Sequence, residues 1–287
     1  MNRFEKRLAA LIRENSFPMQ PVQTDVDPVL KPLNPIRAVL YDVYGTLFIS
    51  ASGDLGKNVL QNETADRLFK QYRLDSTLSA GELARRFEAE IRKAHHSEKA
   101  RGADFPEVRY DVLWQNILGT QNTETARIWA LVYELAVNPV FPMPFAKEVI
   151  EGLKRSGMRQ GLISNAQFFT PLLFPALMQA DMETLGIDPE LVFFSCQWGR
   201  AKPSPLLFKE ALERLLHFHV QPETVLFIGN DMLNDILPAR SAGFCTALFA
   251  GDRRSLRLRR DMEKCRNLSP DLVITEWNQL LDCLKEP

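Results

Sequence analysis

An α/β fold built on a parallel sheet, with a helical block inserted after the first strand, is predicted by three observations. The run Arg37-Ala-Val-Leu-Tyr-Asp42 is short, apolar and ends in a carboxylate followed by Gly45-Thr46, which reads as a buried strand delivering an acid to a loop. From about Lys57 to Val137 the apolar residues recur at helical spacing with no convincing strand. Beyond Pro144, strand-like and helix-like segments alternate, the pattern of a parallel sheet with helices on both faces.

Taken in order, residues 1–17 carry an apolar patch interrupted by Arg13 and Glu14, and read as a surface helix rather than a secretory signal. Prolines 18, 21, 28, 32 and 35 then keep the chain extended. Helices are expected over 57–73, 79–98, 107–118 and 123–137. Three prolines in the seven residues Asn138–Pro144 mark a boundary. A helix over Phe145–Ser156 is stopped by Gly157, since glycine accepts the left-handed conformation of a helix end. Strands follow at Gln160–Ser164, Leu191–Ser195, Thr224–Gly229, Cys245–Phe249 and Leu272–Ile274, with an amphipathic helix over Leu206–Phe218. The expected organisation is an extension (1–34), a core domain (35–52 and 139–287) and a helical cap (53–138).

With 287 residues the chain can bury a sizeable core, and 45% hydrophobic with 25% charged residues excludes a disordered or fibrous protein. Lys+Arg is 35 against Asp+Glu 36, so no global charge attracts nucleic acid or an anionic membrane. No apolar run approaches the roughly 20 residues that span a bilayer. Cys196, Cys245, Cys265 and Cys283 contain no C-x-x-C pair, so neither a zinc site nor a disulfide framework is suggested, and a cytoplasmic setting is expected.

Ligands of an open parallel sheet bind outside the carboxyl ends of its strands. Four strand ends here carry polar groups: Asp42-Val-Tyr44-Gly45-Thr46, Ser164-Asn165, Lys202-Pro203, and Gly229-Asn230-Asp231 with Asn234-Asp235 behind it. Each alone reads equally well as a turn or a helix cap; all four in order at strand ends read as a site. Asp42 can attack an electrophile and form a covalent intermediate. Lys202 can neutralise that acid or hold a phosphoryl group. Thr46, Ser164 and Asn165 offer donors to substrate oxygens. Clustered acids repel one another unless a cation intervenes, and Mg²⁺ suits oxygen ligands.

These motifs resemble those of the haloacid dehalogenase superfamily over about Arg37 to Ile274. Asp42-Val-Tyr-Gly-Thr-Leu47 resembles its nucleophile loop, Ser164-Asn165 its second motif, Lys202-Pro-Ser-Pro-Leu-Leu-Phe208 its third and Gly229-Asn-Asp-Met-Leu-Asn-Asp235 its acidic fourth. The resemblance implies a Rossmann-like core with an N-side cap, and a hydrolase with Asp42, Tyr44, Lys202 and Asp235 as catalytic residues. Thr46, Ser164 and Asn165 would bind substrate. Asp42, the Tyr44 carbonyl and Asp231 would hold Mg²⁺, with Asn230, one register away, and Asp235 as alternatives to Asp231.

Two features divide the reading. Most phosphatases of the superfamily have an Asp acid/base where Tyr44 stands, and dehalogenases an aromatic residue, whereas the acids Asp231 and Asp235 are what metal-free dehalogenases lack. Phe208 also replaces the Tyr usual in the dehalogenase pattern. The leading expectation is a Mg²⁺-dependent phosphatase acting on a small phosphorylated metabolite through an aspartyl-phosphate. The alternatives are a metal-free 2-haloacid dehalogenase and a binding member without turnover. His95-His96, beside Arg92, Lys93 and Lys99, reads as a solvated basic face or a phosphate-steering pair. Arg253, Arg254, Arg257, Arg259 and Arg260 read as a solvated helix face.

Overall fold

The computed structural model describes residues 1–33, 35–52, 62–74 and 77–284. Six strands form one parallel sheet: β1 (Ala38–Tyr41), β4 (Arg159–Ser164), β5 (Ile187–Phe194), β6 (Val225–Gly229), β7 (Cys245–Phe249) and β8 (Leu272–Ile274), in the order β5-β4-β1-β6-β7-β8. A second, two-stranded antiparallel sheet pairs β2 (Phe48–Ser50) with β3 (Val140–Pro142). The apolar run of β1 is buried throughout, as a strand covered on both faces must be. It pairs with β4 on one side and β6 on the other, so the chain order reverses at β1 and opens a crevice at its carboxyl end.

Between β2 and β3 the described residues form four helices: α2 (Asn62–Gln71), α3 (Ala80–Ala100), α4 (Tyr110–Leu118) and α5 (Thr123–Val137). Their core is aromatic. Phe87, Trp114, Trp129 and Tyr133 interlock with ring centroids 5.1–5.7 Å apart. Helix α5 is buried on nearly every side because α2, α4 and the amino-terminal helix α1 (Arg3–Asn15) all lie against it. After β3, α6 (Ala146–Arg155) buries Val149, Ile150 and Leu153.

Helix α1 begins with a capping box, in which Asn2 and Glu5 satisfy each other's backbone amides, and buries Leu8, Ala9, Leu11 and Ile12. The described part of the proline-punctuated chain beyond it forms no helix and reaches the far edge of the sheet at Val29. Val29 exchanges two backbone hydrogen bonds with Val273 (2.8 and 3.0 Å), covering an edge that would otherwise stand open.

Three details differ from the sequence reading. The pair β2/β3 was not expected; three-residue strands are too short to show a period. Strand β5 starts at Ile187, four residues early, because exposed Pro189 and Glu190 interrupt its apolar run. The basic run 253–260 is irregular rather than helical, and most of its arginines are tied down: Arg253 to Asp25, Arg254 to Asp252 and Gln20, Arg259 to Asp231. The first residues of the expected helix 57–73 and of the expected cap lie outside the described residues.

Candidate active site

Asp42 continues the β1 ladder, its amide donating to Ile228 at 2.8 Å, and its buried side chain sits at the carboxyl edge of the sheet. The chain then turns tightly over Val43, whose carbonyl accepts from Leu47 and Phe48 at 2.9 and 3.0 Å. Gly45 makes the turn possible. Its φ is +78°, and a Cβ there would come within 2.4 Å of Ser255 and 2.5 Å of the Asn230 amide.

Lys202, 5% exposed, donates to Asp42 Oδ1 at 2.6 Å, to Asp235 Oδ1 at 2.5 Å and to the Ile163 carbonyl at 3.2 Å. Burial alone would lower its pKa, but the carboxylates of Asp235 and Asp42 outweigh it and hold Lys202 above the usual lysine range. Burial pushes Asp235 up, with Asp42 and Asp231 adding to it and Lys202 opposing. The other oxygen of Asp235 accepts from the amides of Asn230 and Asp231, both at 3.0 Å, so this acid organises its own loop. Gly229 allows that approach, since a Cβ there would lie 2.4 Å from the Asp235 carboxyl carbon.

The two oxygens of Asp42 are unequal. Oδ1 accepts from Lys202 and, at 2.9 Å, from Ser164 Oγ. Oδ2 has one long contact, from Thr46 Oγ1 at 3.3 Å. Asn165 grips the lysine loop at two points, accepting from the Lys202 amide at 2.7 Å and donating to its carbonyl at 3.3 Å. Asp42, Thr46, Ser164, Lys202 and Asp235 thus form one connected group, with Asn165 holding the backbone that presents Lys202.

Two residues are turned elsewhere. The Tyr44 hydroxyl lies 2.9 Å from Thr170 Oγ1, and burial, followed by the charge of Glu134, pushes its pKa far above the usual phenol range. Asp231 caps the π-turn Met232–Ile236 by accepting from the amides of Leu233 and Asn234, and its carboxylate is gripped by Arg259 through Nε at 3.1 Å and an η nitrogen at 2.6 Å. Asn234 donates to its second oxygen at 3.0 Å. Asn230, one residue earlier, shares a partner with Asp42: its Oδ1 and Asp42 Oδ2 both lie near the Thr46 hydroxyl, at 3.5 and 3.3 Å.

These side chains open onto a cavity of about 230 Å³ whose other wall comes from the helical block, through His95, Glu107 and Tyr110. Sequence reasoning missed two residues that line it, Gln167 and Ser255, and the contact of Arg259 with Asp231. Gln167 donates to the Val108 carbonyl at 2.8 Å and accepts from the Tyr110 amide at 3.0 Å, fastening that wall to the loop after β4. Ser255 accepts the Asn230 amide on its carbonyl at 2.7 Å. Arg259 lay in plain view as part of the basic run, but only the fold brings it to Asp231.

A model of the haloacid dehalogenase-like hydrolases matches residues 36–243. This chain belongs to that family. The hydrolase is 26% identical to the glyceraldehyde 3-phosphate phosphatase of Methanopyrus kandleri over 256 residues, 88% of this chain and 98% of that one. It is 28% identical to the corresponding phosphatase of Pyrococcus furiosus over 145 residues, where the match spans 50% of this chain and about half (54%) of the relative. Among solved structures, the 2-haloacid dehalogenase of Pseudomonas syringae shares the fold at a TM-score of 0.55 and 17% identity, over 87% of this chain and 98% of that one. The chain is therefore a family hydrolase with an α/β core, and its curated relatives are phosphatases.

Proposed function

We propose that this hydrolase is a phosphatase of a small phosphorylated metabolite, working through an aspartyl-phosphate on Asp42, with glyceraldehyde 3-phosphate the first substrate to test. The observation that carries the reading is the asymmetry of Asp42, which lines the cavity: Oδ1 is fixed by Lys202 and Ser164 while Oδ2 keeps one long contact, from Thr46. The match along almost the whole M. kandleri phosphatase supports it. Oδ2 attacks phosphorus and the bond from phosphorus to the ester oxygen breaks. Water then attacks the same phosphorus, freeing phosphate and restoring the carboxylate. Lys202 offsets charge at Asp42 throughout, and Thr46 donates to the attacking side.

Protonation of the leaving oxygen is the weak step. Tyr44 stands where an acid would serve, but its hydroxyl is engaged with Thr170 and strongly resists ionisation. General acid help is worth about 10²–10⁴ in rate, so aryl and acyl phosphates should turn over far faster than alkyl phosphates.

Phosphatases of this family generally use Mg²⁺, and our reading of the sequence has Asp42, the Tyr44 carbonyl and Asp231 hold it. The arrangement does not fit an ion through Asp231, because Arg259, Asn234 and the helix-capping amides occupy both its oxygens. Among the described residues no group of three or more His, Cys, Asp or Glu is disposed around an ion. Arg259 supplies at Asp231 the positive charge an ion would bring, and no step is assigned to Mg²⁺.

Phosphate release measured with and without Mg²⁺ tests the proposal; Asp42→Asn should abolish it while the protein stays folded, and wild-type turnover in that variant would remove Asp42 as nucleophile. A second reading rests on Tyr44: a 2-haloacid dehalogenase would release halide in EDTA and lose that activity when Tyr44 is changed.

A further inference from the structure

Two segments near the candidate site lie outside residues 36–243, the stretch matched by the family model: residues 20–26 and the loop 250–259 after β7. The loop is bound to the site. Ser255 Oγ donates to the Gly45 carbonyl at 3.3 Å, in the turn that follows Asp42, and the Ser255 carbonyl accepts the Asn230 side-chain amide at 2.7 Å. The Arg257 amide donates to the Asn230 carbonyl, and the Arg257 carbonyl accepts from the Met232 amide, both at 2.9 Å. Arg259 follows with its grip on Asp231 through two nitrogens. Ser255 and Arg257 line the cavity beside Asp42.

The same loop is tied on its other side to residues 20–26, which stand 226 to 234 positions away in the chain. Asp252 is buried; its Oδ1 accepts from the Val22 amide at 3.2 Å, and its two oxygens accept from Arg254 Nε at 3.0 and 3.1 Å. Arg254 reaches on to the Gln20 carbonyl. The Arg253 amide donates to the Val22 carbonyl at 2.8 Å, and Thr24 Oγ1 donates to the Ala250 carbonyl at 2.7 Å. Val26 packs into the same apolar cluster as Leu256 and Leu258. An irregular loop has no helix or ladder of its own to offset the entropy of fixing it, so its order must come from such outside contacts.

We propose that residues 20–26 serve the active site as a strap: through Asp252 and Arg254 they hold the loop 250–259 against Gly45, Asn230 and Asp231, and so set the placement of Asp42. Asp252 and Arg254 are positioning residues, acting through Ser255 and the Arg257 backbone. A small displacement of a nucleophile is costly to the rate, which makes turnover a sensitive readout. The turnover test rests on the phosphatase reading, and the exchange test on the fold alone.

The experiment compares the wild-type chain with Arg254→Gln, Arg254→Lys and Thr24→Val. It reads hydrolysis of p-nitrophenyl phosphate and hydrogen–deuterium exchange of the peptides spanning 43–48 and 228–236, neither of which contains a substituted residue. Arg254→Gln should lower kcat by about tenfold or more with KM nearly unchanged, and both peptides should exchange faster. Arg254→Lys, which keeps a charge beside Asp252, should recover part of kcat. Thr24→Val is nearly isosteric and removes one tie of the strap; it should move both readouts the same way by less, and it decides the matter if Arg254→Gln does not fold. A lower melting temperature with kcat and both peptides unchanged overturns the proposal, because the strap then only stabilises the fold. Should the wild type release no phosphate, the phosphatase reading falls and exchange alone decides. Faster exchange of both peptides then sustains the strap, and unchanged exchange rejects it.

Discussion

Arg259 and Asp231 form the ion pair that stands against the proposal of an ion at Asp231. A guanidinium bound through two nitrogens to a partly buried carboxylate is a strong pair, and a divalent ion must displace it to reach that acid. Arg259→Gln should therefore increase the rise in melting temperature produced by millimolar Mg²⁺, read by differential scanning fluorimetry. An identical Mg²⁺ response in the wild type would show that the pair is no barrier. Asp42 and Ser164 were legible in the sequence because each stands at the end of a strand of recognisable length, and Lys202 and Asp235 because they follow such strands in short polar motifs. The contacts of Ser255, Gln167 and Arg259 were not. They reach across 25 to 57 residues of chain, which no local spacing encodes.

Helix α5 carries a buried acid. Glu134 accepts from Asn138 Nδ2 on one oxygen, at 3.1 Å, while the other has no partner among the described residues. Burial pushes its pKa up to about 7. Because the native pKa lies above the unfolded one, its stabilising contribution is complete below about pH 4.5 and is lost as pH rises through about 7, a change on the order of 3 kcal/mol. Glu134→Gln should flatten that decline and leave the variant more stable than wild type at pH 8, as read from urea unfolding at pH 5 and pH 8. A parallel fall in both proteins would place the titration elsewhere. The long helices were legible because a period needs several turns to show. Strands β2 and β3 were too short, and the arginine run imitated a helix face because charge alone carries no period.

At the scale of the molecule, α1 acts as a brace. It packs against α5 in the helical block and against the Thr170–Met178 segment of the core, and Asn15 donates to Tyr72 at 2.6 Å just beyond α2. Thr170, in that core segment, is the residue that holds Tyr44. Ile12, fully buried in this seam, is the most informative site. Ile12→Ala should cost about 2–5 kcal/mol of unfolding free energy in urea titration, from lost burial and the cavity left behind. A loss below 1 kcal/mol would mean α1 is an appendage. The sequence announced α1 as amphipathic but could not say which surfaces its apolar face would join, since both lie more than 100 residues away.

The inequality of the two Asp42 oxygens has an isotopic consequence. If Oδ2 attacks phosphorus and water attacks phosphorus in turn, the bond from Oδ2 to the carboxyl carbon never breaks. The same two oxygen atoms then serve the enzyme through every cycle. A single turnover in heavy-oxygen water should leave the peptide containing Asp42 at its original mass and place the label in the released phosphate. A carbon ester on Asp42 opened by water at the carboxyl carbon behaves in the opposite way. The old Oδ2 departs with the product, the carboxylate gains the heavy atom, and only the next product carries it. Mass spectrometry of that one peptide therefore reports which atom water attacks, without requiring the substrate to be the natural one.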